Sequence, residues 1–116
     1  MIKYKFIDLF AGCGGLEDGF LQSGMYIDVA AVEWLKPQVN TLIQRLKTKW
    51  QIADASDRVM HFDIQREEEL FKGWKDEEFG RGKGLDYFIN EADGIDVIIG
   101  GPPCQAYSVA GRVRDE

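Results

Sequence analysis

Residues 6–16 read Phe6-Ile7-Asp8-Leu9-Phe10-Ala11-Gly12-Cys13-Gly14-Gly15-Leu16, and this stretch decides the fold. A short apolar run, Lys5–Phe10, enters a glycine-rich turn and leaves it as a helix over Gly15–Ser23. That helix places Leu16, Phe20 and Leu21 on its inner side, and Gly24 is its natural C-terminal stop. A strand, a glycine turn and a helix in that order begin a βαβ unit, whose crossover is right-handed.

The rest of the chain continues the pattern. Asp28–Glu33, Val59–Asp63 and Asp96–Gly100 read as further strands, short and apolar enough to be buried on both faces of a parallel sheet. Between the second and third strands, Pro37 opens a helix whose Val39, Leu42, Ile43, Leu46 and Trp50 follow helical spacing. The expected fold is α/β: an open, mainly parallel sheet with helices on both faces. The stretch from Ile64 to Gly94 is less regular. Arg66–Lys72 reads as a helical turn or two, Leu85, Phe88 and Ile89 as the inner face of another helix, and Gly80–Gly84 as a loop. Its charges read as a solvated face and carry no assigned function.

Composition narrows the function classes. The 116 residues suffice for one domain. No apolar run approaches the roughly 20 residues that cross a bilayer, and Met1–Lys5 leads into a strand without a signal-peptide core. A cytoplasmic protein without membrane contact is expected. Cys13 and Cys104 are read as free thiols, and neither they nor His61 has metal-ligand spacing. The net charge of −6 argues against unaided nucleic-acid binding, which needs clustered Lys and Arg.

Four strand ends carry candidate chemistry. The glycine turn, with free helix N–H groups behind it, suits a pyrophosphate or an amino-acid carboxylate; the bland alternative is tight packing. A dinucleotide fingerprint would place its last glycine where Glu17 stands, and a carboxylate there would repel pyrophosphate. Glu33 ends the second strand, about 20 residues on, where such folds hold a ribose, and Trp34 beside it offers an adenine platform. Asp63 ends the third strand, as an adenine amino acceptor or as a simple turn cap. After the fourth strand comes Gly100-Gly101-Pro102-Pro103-Cys104-Gln105-Ala106-Tyr107-Ser108. Two prolines stiffen the approach to Cys104, as suits a nucleophile, whereas a structural cysteine belongs within an apolar strand or helix.

The chain resembles the cytosine-C5 DNA methyltransferases. Phe6–Leu16 is similar to their cofactor motif, Gly101–Ser108 to their catalytic motif, and Glu33-Trp34 and Asp63-Ile64 to their adenosine contacts, all in the family's order. The resemblance implies a Rossmann-like, S-adenosylmethionine-dependent methyltransferase fold. By it, Cys104 attacks cytosine C6, and Phe10, Gly12, Gly15, Leu16, Glu33, Trp34, Asp63 and Ile64 line the cofactor site. Pro102, Gln105, Ser108 and Arg112 face the substrate: Pro102 near a flipped cytosine in double-stranded DNA, Arg112 at a phosphate, with Gln105–Arg114 beginning a mobile loop. Cys13 is a bystander.

The family's Glu-Asn-Val motif, its Arg-containing motif, its target-recognition domain and its C-terminal helix are not found in these residues. The chain therefore reads as a truncated, N-terminal part of the catalytic domain, silent by itself. Its longer 65–94 stretch departs from compact members. The resemblance favours a bacterial restriction-modification methylase with a cognate restriction endonuclease. Two alternatives stand: a transfer-RNA cytosine-C5 methyltransferase, against which Ala106-Tyr107-Ser108 speaks, and a non-catalytic nucleoside-binding domain.

Overall fold

The computed structural model describes residues 3–12 and 14–100. Their main sheet has four parallel strands: β1 (Tyr4–Asp8), β2 (Tyr26–Glu33), β3 (Val59–His61) and β4 (Val97–Ile99). They are ordered β3-β2-β1-β4, so the chain builds outward on one side of β1 and then returns to the other. All carboxyl ends lie along one edge, which is where an open α/β sheet binds ligands.

Side chains alternate across the strands, and β2 divides the core between two faces. Ala31 packs with Val39, Leu42 and Leu46 of α1's successor helix, α2 (Lys36–Thr48), α1 itself being Gly15–Gln22. Ala55 of the short α3 (Ala55–Arg58) joins them. Ala30 and Val32 pack on the opposite face, with Leu70 of α4 (Glu67–Lys72) and Leu85 and Phe88 of α5 (Leu85–Glu91). Helices cover both faces, as the alternation of strand and helix in the sequence predicts.

Several local expectations need correction. Strands β1 and β3 stop at Asp8 and His61, so Phe10 and Asp63 stand just beyond strand ends. Among the described residues β4 is an edge strand with Ile98 60% exposed, and is not buried on both faces. Trp50 lies past the end of α2 and donates its indole N–H to Asp18 Oδ1 at 2.7 Å. Gly80-Arg81-Gly82 is not loop: it forms strand β6, antiparallel to β5 (Trp74–Asp76). A Cβ on Gly82 would fall 2.2 Å from the Trp74 ring, so the hairpin closes only because glycine leaves room for the indole. Trp74 in turn stacks on Phe62, ring centroids 3.8 Å apart.

The largest correction concerns α1. Its inner face is led by Glu17, wholly buried, while Leu16 is 45% exposed. Phe20 and Leu21, three and four residues on, follow Glu17 inward and are half-buried.

Candidate cofactor site

The glycine turn is held by its neighbours on both sides. Ala11 N–H donates to the Val32 carbonyl (3.1 Å), Gly14 N–H to the Ala11 carbonyl (3.0 Å), and Leu9 N–H to the Ile99 carbonyl (3.0 Å). Gly14 has φ +97°, and a Cβ there would lie 2.6 Å from Leu42 Cδ1. Backbone conformation and contact both demand glycine at that position. Gly15 differs: a Cβ there would meet nothing within 4 Å among the described residues. The first-turn N–H groups of Gly15 and Leu16 have no backbone acceptor among the described residues. Such groups carry the positive end of the helix dipole and favour an anion.

Glu33 binds this turn to the end of β2. Its Oε1 accepts from Gly12 N–H at 2.9 Å and its Oε2 from Leu35 N–H at 2.6 Å. Each oxygen keeps a further lone pair for a hydroxyl donor. Trp34, next along, is 63% exposed, and its carbonyl lies 2.8 Å from His61 Nε2 at the end of β3. A large indole face open to solvent at a strand end is free to stack on a planar ligand.

The other expected residues are placed less uniformly. Leu16 is exposed beside the turn, and Phe10 is half-buried against Gly100, whose Cβ position is 3.0 Å from the Phe10 ring. Asp63 Oδ1 accepts from Gln65 N–H at 2.9 Å, and the Asp63 carbonyl accepts from Arg66 N–H at 3.1 Å, so one carboxylate oxygen serves a local turn. Ile64 packs partly into the core formed around Phe62 and Leu70. Cys13, Pro102, Cys104, Gln105, Ser108 and Arg112 lie outside the described residues. The contact between Phe10 and Gly100 nevertheless puts the glycine turn beside the point where the chain enters the Cys104 segment.

Glu17 plays no part in repelling a ligand, contrary to expectation. It points into the protein beneath α1, towards Asp8 and Asp28. Burial pushes its carboxyl up to about 11, with Asp28 and Asp8 adding to the effect, so it is neutral at ordinary pH. Glycine spacing alone then speaks against a dinucleotide. No pattern in the sequence marked this buried trio, because an isolated Glu at a helix start usually faces water.

Taken together, the edge offers a helix start with N–H groups unpaired among the described residues, a carboxylate able to accept from hydroxyls and an exposed indole. That donor set suits an amino acid joined to a nucleoside. The model of the C-5 cytosine-specific DNA methylase family matches residues 4–116. The chain belongs to that family.

Among family relatives, the Type II methyltransferases M.HgiDI and M.HgiGI of Herpetosiphon aurantiacus are 38% and 36% identical over 97% of this chain. The DNA (cytosine-5-)-methyltransferase M.ApeKI of Aeropyrum pernix is 35% identical over 94% of it. The chain spans 28% of the first, 68% of the second and 21% of the third. Among the described residues no helix is long and apolar enough to cross a membrane, and no cluster of His, Cys, Asp and Glu is arranged to hold a metal ion.

Proposed function

We propose that this chain is the cofactor-binding and nucleophile-bearing part of an enzyme that methylates C5 of cytosine in double-stranded DNA. The observation that carries the reading is the pairing of Gly12 N–H with Glu33 Oε1 beside an exposed Trp34, groups that suit the ribose and adenine of S-adenosylmethionine. When bound, that cofactor supplies an electrophilic methyl group on a cationic sulfur.

The chain's own residues do the rest. The start of α1 receives the amino-acid carboxylate, Glu33 accepts from the ribose hydroxyls, and Trp34 stacks on adenine. Asp63 keeps one oxygen for the adenine amino group. Cys104, as thiolate, forms a bond to C6 of a cytosine flipped from the duplex, which moves electron density to C5. After methylation of C5, loss of the C5 proton restores the C5–C6 double bond and expels the thiolate. Pro102, Gln105, Ser108 and Arg112 flank the substrate. The likeness to Type II methyltransferases supports a restriction-modification role with a cognate endonuclease. These 116 residues alone are proposed to be silent, since their sequence lacks the Glu-Asn-Val motif that would polarise the cytosine ring, and their net charge is −6.

The test is a duplex carrying 5-fluorocytosine, incubated with the full-length protein and S-adenosylmethionine. Fluorine cannot leave as a proton does, so a covalent adduct should accumulate and map to Cys104. An adduct at Cys13, or none, refutes the assignment.

A further inference from the structure

Asp8, Glu17 and Asp28 are three carboxyl groups with almost no exposure to solvent, met from three elements under the glycine turn. Asp8 closes β1, Asp28 lies within β2, and Glu17 comes down from the first turn of α1. Both aspartates lie close enough to the Glu17 carboxyl to add to the rise in its pKa. Asp8 Oδ1 accepts from Phe10 N–H at 3.2 Å. The other five oxygens, Asp8 Oδ2, both of Glu17 and both of Asp28, have no donor among the described residues.

Three buried carboxylates without donors would repel one another in a medium that cannot solvate them. The neighbouring charges relieve this only at Asp28, where Arg58 acts against burial without overcoming it. Asp18 turns away to Lys49 Nζ (2.7 Å) and Trp50, with Arg45 nearby. Glu33 adds negative charge next to Asp8. Arg58 approaches from α3, but its guanidinium is engaged by the Asp28 carbonyl (2.5 Å) and by Asp54 (3.0 Å). The helix dipole favours an anion at Glu17, yet acts only within the first turn and does not replace lost water. Hydrogen bonds among these oxygens require a proton of their own.

We infer that Glu17 is a positioning residue for the cofactor turn: held protonated, its carboxyl bridges Asp8 and Asp28 and fastens the first turn of α1 to the sheet. The fastening reaches the site through Gly14, whose carbonyl accepts from Asp18 N–H (2.8 Å) and whose N–H holds Ala11 (3.0 Å). Burial also raises Asp8, to about 6, and raises Asp28, so the trio takes up protons more readily than the unfolded chain. A folded state that retains a proton loses stability as pH rises. For Glu17 that contribution is whole below its ordinary 4.5 and is lost progressively up to about 11.

The proposal rests on the cofactor reading for what the turn holds, but not for the proton. Three measurements on the full-length protein test it. Between about pH 7 and 9, one proton retained by Glu17 raises the unfolding constant about tenfold per pH unit, and Glu17→Gln should remove that increment because its amide donates at every pH. S-adenosylmethionine affinity should stay within about threefold of wild type in Glu17→Gln and fall about tenfold or more in Glu17→Ala. Isotope-edited infrared spectra, with glutamate labelled at its side-chain carboxyl, should show a protonated Glu band at pH 8 in the wild type. An unchanged slope in Glu17→Gln, equal affinities in the Gln and Ala variants, or no protonated band would each overturn the inference. If wild type binds no S-adenosylmethionine at any pH, the proposed function fails, while slope and band still judge the proton.

Discussion

The backbone N–H of Gly12 donates to Glu33 Oε1 at 2.9 Å, joining the turn after β1 to the tip of β2 across 21 residues of sequence. The same carboxylate holds Leu35 N–H, so one side chain orders both the glycine turn and the start of the segment after β2. A group that is already ordered by two charge-assisted hydrogen bonds loses little further freedom when it accepts a ligand hydroxyl. Glu33→Ala should therefore lower stability by about 1–3 kcal/mol and weaken S-adenosylmethionine binding by about tenfold or more. Denaturant unfolding and calorimetry measure the two effects. Loss of stability with affinity intact would remove Glu33 from the site.

Trp34 separates binding from folding. With most of its surface in water, Trp34→Ala should change stability by no more than about 0.5 kcal/mol. Loss of stacking should still cost about 1–3 kcal/mol of cofactor affinity, roughly 5- to 150-fold. Unchanged affinity by calorimetry would refute the stacking role.

Gly14 and Gly15 are adjacent and should respond in opposite ways. Gly14→Ala meets Leu42 Cδ1 at 2.6 Å on a backbone with φ +97°, so a loss of about 1–3 kcal/mol in stability is expected. Gly15→Ala meets nothing among the described residues, and should fold normally while weakening the cofactor by filling its space. Thermal melts with and without S-adenosylmethionine distinguish the two.

Cys104→Ser should abolish methyl transfer to DNA in the full-length protein and leave S-adenosylmethionine affinity within about twofold, because the proposed role of the thiol is at the base. A tenfold loss corresponds to about 1.4 kcal/mol, so calorimetry resolves the difference readily. Residual turnover near the wild-type rate would exclude Cys104 as nucleophile.

Trp74→Ala should detach the β5–β6 hairpin. The indole stacks on Phe62 and its N–H reaches the Phe79 carbonyl at 3.4 Å, so truncation should cost about 3–5 kcal/mol. Hydrogen exchange should rise first over residues 74–82. A loss below about 1 kcal/mol would mean that the hairpin is held by something other than this stack.

The amino-acid order determined those features whose information is local. Apolar runs closing on Phe10, Glu33 and Gly100 marked three strand tips to within two residues, and the spacing of Val39, Leu42 and Leu46 marked the buried face of α2. The motifs around Gly12 and Cys104 pointed to the family that the match over residues 4–116 shows. Periodicity needs no knowledge of distant neighbours, and so these were legible.

Only the tertiary structure decided the rest. Leu16 and Glu17 are neighbours about 100° apart on one helix, and hydrophobicity alone points Leu16 inward. The packing of Phe20 against Phe6, centroids 5.6 Å apart, turns α1 the other way and buries Glu17 with two aspartates drawn from separate strands. Gly80-Arg81-Gly82 has the composition of a loop, and becomes a strand because Trp74, eight positions before Gly82, lies over the space its missing side chain leaves. In both places the deciding energy comes from contacts between residues far apart along the chain or across a turn, which a local pattern does not encode.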